Sequence, residues 1–421
     1  MKRRDILSGL AVLAAASVSG CGAIATNPTR RDAIYIPGYY FGDTQPENEP
    51  ADSARRRARG DKMTLITRID AQGRITQAAF PVTGHDVAVA PDRGIGFFGQ
   101  IGQTEGRTMA HHVAFDPGTL EMIGQGLAPD AGWRGGGHGV FLADGTLLTS
   151  ERARLRPFTG RPADHYGRIV RRAPETLAIL ETLPCHGIDP HELRVMADGT
   201  TVAVANYGSV LRRGTAALGQ PRHVVQACVT VLDLRSGALV ARHMSTDPEH
   251  ELRHLALGGD SILAIRARLG DEAADDGFQS ALGEQPRDIT AEPGESYLPA
   301  APLLLSPRFV RSLDQTAPEA DLRHGLSVEH DPVHDEFIAS FPSSHRLIVF
   351  DACSGAVRRS LDTRTLGLRH PSGIALLPDG RHYAVAGYWR GLHVFERGSH
   401  THQRRLSHNP VLYGHSHMTA A

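Results

Sequence analysis

Histidines recur along this chain at the head of apolar runs, at His85, His138, His191, His254, His324 and His370. Carboxylates accompany several of them. Asp86 follows His85, Glu192 follows His191, and Glu151 closes the double run that His138 opens. Neutral imidazole suits zinc, copper, iron and nickel, with carboxylates completing or orienting the ligand set. The expected chemistry is therefore transition-metal binding, with iron, copper or zinc held by His85, His138, His191 and His254. Asp86, Glu151, Glu192 and Asn206 would stand behind them. The competing explanation is that each histidine caps its own strand by hydrogen bonding to a neighbour. Capping alone would not require Asp86, Glu151 and Glu192 at the same place.

The elements that position these residues are hairpins. In HGIDPHELRVMADGTTVAVAN, from His186 to Asn206, two apolar runs flank Asp198-Gly199. Asp-Gly between apolar runs is the strongest short hairpin signal. His191 then opens the first strand and Asn206 closes the second, which brings His191, Glu192 and Asn206 together. The same layout begins at Gly84, Gly137, Arg253, His324 and His370, so a histidine returns every 46 to 70 residues. A period near that of a four-stranded blade predicts a β-propeller. Six histidine-led hairpins and the strands expected at 33–36, 63–69 and 75–80 make seven blades in a single all-β domain. The N-terminal blade lacks a leading histidine, and a strand from the other terminus is expected to complete it. A residue just before each innermost strand lies at one channel mouth, so the histidines should ring that opening.

The remaining chain is consistent with this organisation. Forty-five glycines and 26 prolines suit many short strands joined by tight turns. The formal net charge of −1 provides no basic excess to neutralise phosphates, so no nucleic-acid partner is expected. A monomer is expected. Lys2, Arg3 and Arg4 precede an apolar stretch at 7–18 that is too short to span a bilayer. The Arg3-Arg4 pair resembles a twin-arginine export signal, and Val18-Ser19-Gly20-Cys21 resembles a lipobox. Residues 1–20 read as a signal peptide, Cys21 as the lipidation site, and 21–32 as a tether. The propeller is expected over 33–406, with a polar surface insertion at 267–300 and a histidine-containing tail at 407–421. The basic run Arg55–Arg59 reads as a solvated loop. Cys185, Cys228 and Cys353 leave at least one thiol unpaired. No CxxC, HExxH, phosphate loop or nucleophile elbow is present, so no catalytic residue is assigned.

Three stretches resemble one family. Gly187-Ile-Asp-Pro190-His191-Glu192 through Asn206, Gly137-His138-Gly139-Val140-Phe141 through Glu151, and Leu252-Arg253-His254-Leu255-Ala256 are similar to hallmarks of the DUF1513 family of exported bacterial proteins. Gly84-His85-Asp86 looks like that family's first Gly-His-Asp. The resemblance spans roughly 63–390. Departures include Asp189 where members usually have glycine, Gly135-Gly136 where they have aromatic residues, and the short Tyr207-Gly208-Ser209 in place of a longer loop. A glutamine-tyrosine-glutamate-glycine motif expected near Arg266 is missing. The resemblance implies no established activity. It does imply an exported protein associated with envelope metal, particularly iron, biology.

Three functions fit these observations: a periplasm-facing metal-binding propeller, a protein-binding scaffold for another envelope protein, and a lactonase- or metallohydrolase-like enzyme with Glu192 or Glu151 as base. The first accounts for most of the residues above. In all three the protein leaves the cytoplasm and is held to the membrane through Cys21. Cys21→Ala is expected to shift the mature protein from the membrane to the soluble periplasmic fraction, and unchanged fractionation would remove the lipobox reading.

Overall fold

The computed structural model describes residues 33–40, 63–269 and 297–421, apart from 81, 83, 91–93, 103–111, 127–131, 155, 212–221, 248, 389 and 413–416. The signal peptide, Cys21 and the tether lie outside the described residues, as do the basic run and residues 270–296 of the expected 267–300 insertion, whose ends instead belong to the strands Ser261–Leu269 and Tyr297–Leu298. The described residues are all-β and β-propeller-like, with no α-helix among them. Their strands pair antiparallel in successive four-stranded units.

The turns account for much of this local order. Asp198 accepts hydrogen bonds from the backbone N–H groups of Thr200 and Thr201, at 2.8 and 2.9 Å, while Gly199 takes φ 65°. A carboxylate that caps its own turn, followed by a residue free to adopt positive φ, pins the hairpin register. Asp233 with Ser236, Asp351 with Ser354 and Asp379 with Arg381 repeat the arrangement.

Each unit begins with the strand nearest the axis. The unit led by Gly84–Ala90 continues through Ile95–Gly102, His112–Phe115 and Met122–Gln125. That led by Trp133–Phe141 continues through Leu147–Ala153, Tyr166–Arg172 and Ile179–Ile188, and it joins its predecessor at Ile101↔Gly136. Pro190–Val195 and Glu251–Gly258 lead the next two, and Ser327–Asp331 and Pro371–Leu376 the last two.

The core lies between neighbouring units. Leu148, Ile169 and Leu183 pack on Leu193, Val202 and Val204. Ala203, Ala205 and Val229 pack on Leu252, Leu255 and Leu303. Leu263, Ile265 and Leu304 meet Phe337, Ile348 and Phe350, and Ile338 and Leu347 meet Ile374, Tyr383 and Val385. Ala384, Ala386 and Leu392 then pack on Ile36 and Ile69, residues of the N-terminal strands. The series of interfaces therefore closes into a ring.

Closure also runs through the backbone. Thr419–Ala420 pairs with Ala33–Tyr40, in register Ile34↔Ala420 and Tyr35↔Thr419, and completes the N-terminal sheet from the inside. The stretch read from sequence as a tail is thus built into the sheets. His408–Val411 is the outer strand of the last unit, and Met418 is buried with Ile36 and Ala375. Its brevity hid it, because a two-residue strand has no periodicity to detect.

Units approach closely where glycine permits. A Cβ on Gly99 would stand 2.6 Å from the backbone oxygen of Gly137 in the adjoining unit. Backbone cannot move aside as a side chain does, so Gly99→Ala is expected to cost about 1–3 kcal/mol in thermal or denaturant unfolding. A neutral result would show that the two units are not in this contact.

Candidate metal centre

The innermost strands carry irregularities at the histidines. Register shifts fall between Gly84 and Val87, Gly135 and Gly139, Pro190 and Leu193, and Leu252 and His254. A bulge adds a residue to one strand and re-aims the side chains there. His138, His191 and His254 lie within or at the edge of these bulges, and the structure brings all three together. A fourth imidazole, from His417, joins them, and the ligand atoms of the four lie within 4.8 Å of one another. Their exposures are 3, 0, 1 and 6% in the order His138, His191, His254, His417.

Hydrogen bonds decide how two of the rings face, and a carboxylate lies near the third. His138 Nδ1 lies 2.9 Å from Asp86 Oδ2, and His191 Nδ1 lies 2.6 Å from the Gly136 carbonyl. His254 Nδ1 is 3.5 Å from Glu192 Oε2. Carbonyl and carboxylate oxygens only accept, so Nδ1 of a neutral His138 or His191 must carry the proton. Each Nε2 then presents a lone pair. The two Nε2 atoms stand 3.3 Å apart in a buried site. Two lone pairs directed at each other repel unless a proton or cation lies between them. Four nitrogens about 2.0–2.1 Å from one tetrahedral ion are themselves about 3.3–3.4 Å apart. The pair already has that separation, and the Asp86 and Glu192 contacts match the carboxylate–histidine pairs that orient metal ligands.

The surrounding charge is negative. Glu192 accepts from the Leu255 N–H at 2.8 Å and from Arg194, which also reaches Glu329 at 3.0 Å. Burial alone would raise the Glu192 carboxyl, but Arg194 and the neighbouring imidazoles outweigh it and hold it below its ordinary value. Burial raises Glu329. Desolvation, reinforced by His254 and His138, holds the His417 imidazole well below its ordinary value, so it is presented neutral, as a ligand must be. Asp86, Glu192 and Glu329 against Arg194 alone leave two negative charges when all are ionised, enough to balance one divalent cation.

Other residues named from the sequence stand elsewhere. The side chain of His85 lies outside the described residues. Glu151 is buried between Arg168, at 2.6 Å, and Arg172, and serves the packing of its own sheet. Pro190 does pair with Asn206, but the Asn206 amide bonds the Val204 and Cys228 carbonyls and Thr230 Oγ1. It ties strands together behind the site. His370 packs against His345, with ring centroids 4.1 Å apart and the rings tilted. Counted back eight residues from the turn glycine, the equivalent of His191 is Ser372, and His370 matches Asp189. Backbone confirms the match, since Asp189 and His370 share positive φ, 60° and 48°. Counting from the turn rather than matching histidines would have separated the two. His324, at φ 62°, precedes its strand Ser327–Asp331 rather than lying in it.

A second group, Asp331, His334 and Glu336, also gathers potential ligand atoms. Arg397 binds Asp331 twice, and Arg358 and His400 hold Glu336 at 3.4 and 3.3 Å. These carboxylates already have cationic partners.

Sequence reading passed over two participants. His417 had no hairpin to mark it, and its signal was proximity to the strand expected to close the N-terminal blade. Tyr207 packs on His191 at 4.6 Å, with the guanidinium groups of Arg152 and Arg253 over its ring at 4.4 and 5.3 Å. Burial pushes its hydroxyl up to about 12. Asp189, which replaces the family's usual glycine, holds Arg134 and Arg152 at 2.6 Å.

Buried histidines also make stability depend on pH. Desolvation, with His345 alongside, pushes His370 down to about 3, and desolvation with Arg266 pushes His250 down to about 4. The unfolded chain takes up these protons near pH 6.5 while the folded chain does not. Stability is therefore full above pH 6.5 and falls as pH drops toward the folded values, by up to about 1.4 kcal/mol per pH unit for each group. Denaturant unfolding between pH 7 and 5 should show this slope, and His370→Gln should reduce it. An unchanged slope in that variant would mean that His370 titrates normally.

Comparison with known proteins bears on the fold and the family. The chain resembles the solved structure of Kuenenia stuttgartiensis hydrazine synthase, with TM-score 0.51 and 15% identity, over 80% of this chain and 92% of that one. It also resembles dihydro-heme d1 dehydrogenase NirN, solved in complex with DHE, with TM-score 0.50 and 10% identity, over 96% and 78%. At such identities the likeness concerns fold alone. No curated protein matches the chain. The family model described as protein of unknown function (DUF1513) matches residues 81–281, and through these residues the chain belongs to the DUF1513 family.

Proposed function

We propose that this chain is a seven-bladed β-propeller, exported and held to the cell envelope through Cys21, that binds one first-row transition ion through His138, His191, His254 and His417. The observation that carries this reading is the pair of Nε2 atoms at 3.3 Å whose Nδ1 partners are acceptors. The blade count rests on the successive four-stranded units and their ring of interfaces. The envelope location rests on the N-terminal signals alone. An iron, copper or zinc role in envelope metal handling follows from ligand chemistry and location together, with an envelope protein as partner.

Four protein ligands, all buried, leave no open coordination position, which is the pattern of closed rather than hydrolytic metal sites. This favours binding or electron transfer over the hydrolase reading. NirN, similar in fold, was solved with DHE bound. Here four imidazoles whose ligand atoms lie within 4.8 Å of one another leave no slot for a planar macrocycle, so a bare ion fits better than a haem-type group.

An all-imidazole site should follow the Irving–Williams order, binding Cu(II) more tightly than Ni(II) or Zn(II), with Mg(II) and Ca(II) excluded. Calorimetry on the metal-free mature protein should give a stoichiometry of one. His191→Ala should abolish or severely weaken binding while leaving the fold, and Asp86→Asn should weaken it about 10–100-fold through loss of ring orientation. A folded wild-type protein that binds none of these ions removes the metal reading and leaves the histidines as structural pins.

A further inference from the structure

Three of the four imidazoles come from innermost strands in consecutive units. The fourth does not. His417 lies two residues before Thr419–Ala420, the strand that completes the N-terminal sheet. That pairing is short. It comprises two strand residues and a pair of backbone hydrogen bonds between Ala33 and Ala421, at 2.8 and 3.0 Å. Met418 contributes a buried side chain beside Ile36, Ile69 and Leu392. Thr419 Oγ1 bonds the Val87 carbonyl of the next unit. Few contacts thus hold the segment that completes the N-terminal sheet. Segments with few contacts open locally at low free-energy cost.

The imidazole of His417 extends from this segment to rings of three other units. Its ring centroid lies 4.2 Å from that of His254 and 4.8 Å from that of His138. We infer that the metal site also serves as the latch of the ring. An ion bound by all four histidines ties the closing strand to the units led by Trp133–Phe141, Pro190–Val195 and Glu251–Gly258. Loss of the ion leaves that strand held by its own short pairing.

The inference rests on the metal-binding reading and adds a mechanical consequence to it. If the strand cannot lift without releasing the ion, opening becomes rarer by the factor 1 + [M]/Kd, where [M] is free metal. The coupling is reciprocal, so an undocked strand in turn weakens metal affinity. Metal loading and ring closure become one equilibrium.

Hydrogen exchange read by mass spectrometry on the full mature protein tests this, with Zn(II) as probe. Calorimetry on the same sample first establishes whether zinc binds. At free zinc 100-fold above Kd, exchange in 417–421 and in the facing strand 33–40 should slow about 100-fold, with a much smaller change in outer strands such as Ile179–Ile188. Binding without any slowing in those segments overturns the latch while leaving the metal site standing. Absence of zinc binding in folded protein overturns the latch, and absence of copper, nickel and zinc binding alike overturns both. His417→Ala, or His417→Gln should alanine fail to fold, should bind zinc more weakly through the remaining three histidines and lose the zinc-dependent protection of 33–40. Protection equal to wild type in either variant would also overturn the latch.

Discussion

Two imidazole nitrogens presenting lone pairs to each other at 3.3 Å, in a site closed to solvent, are the constraint on which the rest of the inner structure depends. Such a pair is repulsive by itself and becomes favourable when a proton or a shared cation sits between the two nitrogens. Everything adjacent is arranged to keep it. Asp86 and the Gly136 carbonyl hold the protonated nitrogens outward. Glu192 faces His254 while bonded to the Leu255 N–H, so one carboxylate orients a ring and pins the strand that carries it. Ser150 donates to the His191 carbonyl at 2.6 Å and fixes that backbone from the preceding unit.

Around this centre the structure separates two kinds of buried charge. Near the imidazoles, the carboxyl groups Asp86, Glu192 and Glu329 share one guanidinium, Arg194. Farther out, Asp189 with Arg134 and Arg152, Glu251 with Arg253, and Asp331 with Arg397 are paired within themselves. Such pairs resist removal of one partner, because a lone buried charge costs several kcal/mol. They hold loops and sheets in fixed relation without offering a site. The distinction between an available ligand set and a neutralised one rests on these partners, not on residue type. It is why His138, His191, His254 and His417 suit an ion and Asp331, His334 and Glu336 do not.

Much of the architecture was legible in the chain. Asp-Gly turns between apolar runs marked the hairpins because turn chemistry is local: a carboxylate binds the N–H groups two and three residues on, and glycine supplies the positive φ. The repeat followed from the same signals. His138, His191 and His254 were legible as candidate ligands because each opens such a hairpin. Glu192 was legible as the sequence neighbour of His191, and Asp86 as that of His85. Asn206 and Glu151 were read as belonging to the same rim, but their side chains bond within their own sheets, to Thr230 and to Arg168 and Arg172.

Periodicity, turn chemistry and the order of strands are local properties, and the sequence by itself determined them. It determined an all-β chain of repeated hairpins with histidines at their openings. Which nitrogens meet was left to tertiary structure, for two physical reasons. The same bulge follows the leading proline of both units, so His191 enters the centre while Ser372 takes the equivalent place in the later unit and His370, two residues earlier, falls outside. Ring closure, moreover, joins residues more than 380 positions apart, as in the pairing of Ile34 with Ala420. No local pattern around His417 encodes that meeting; packing of the last unit on the first carries it there.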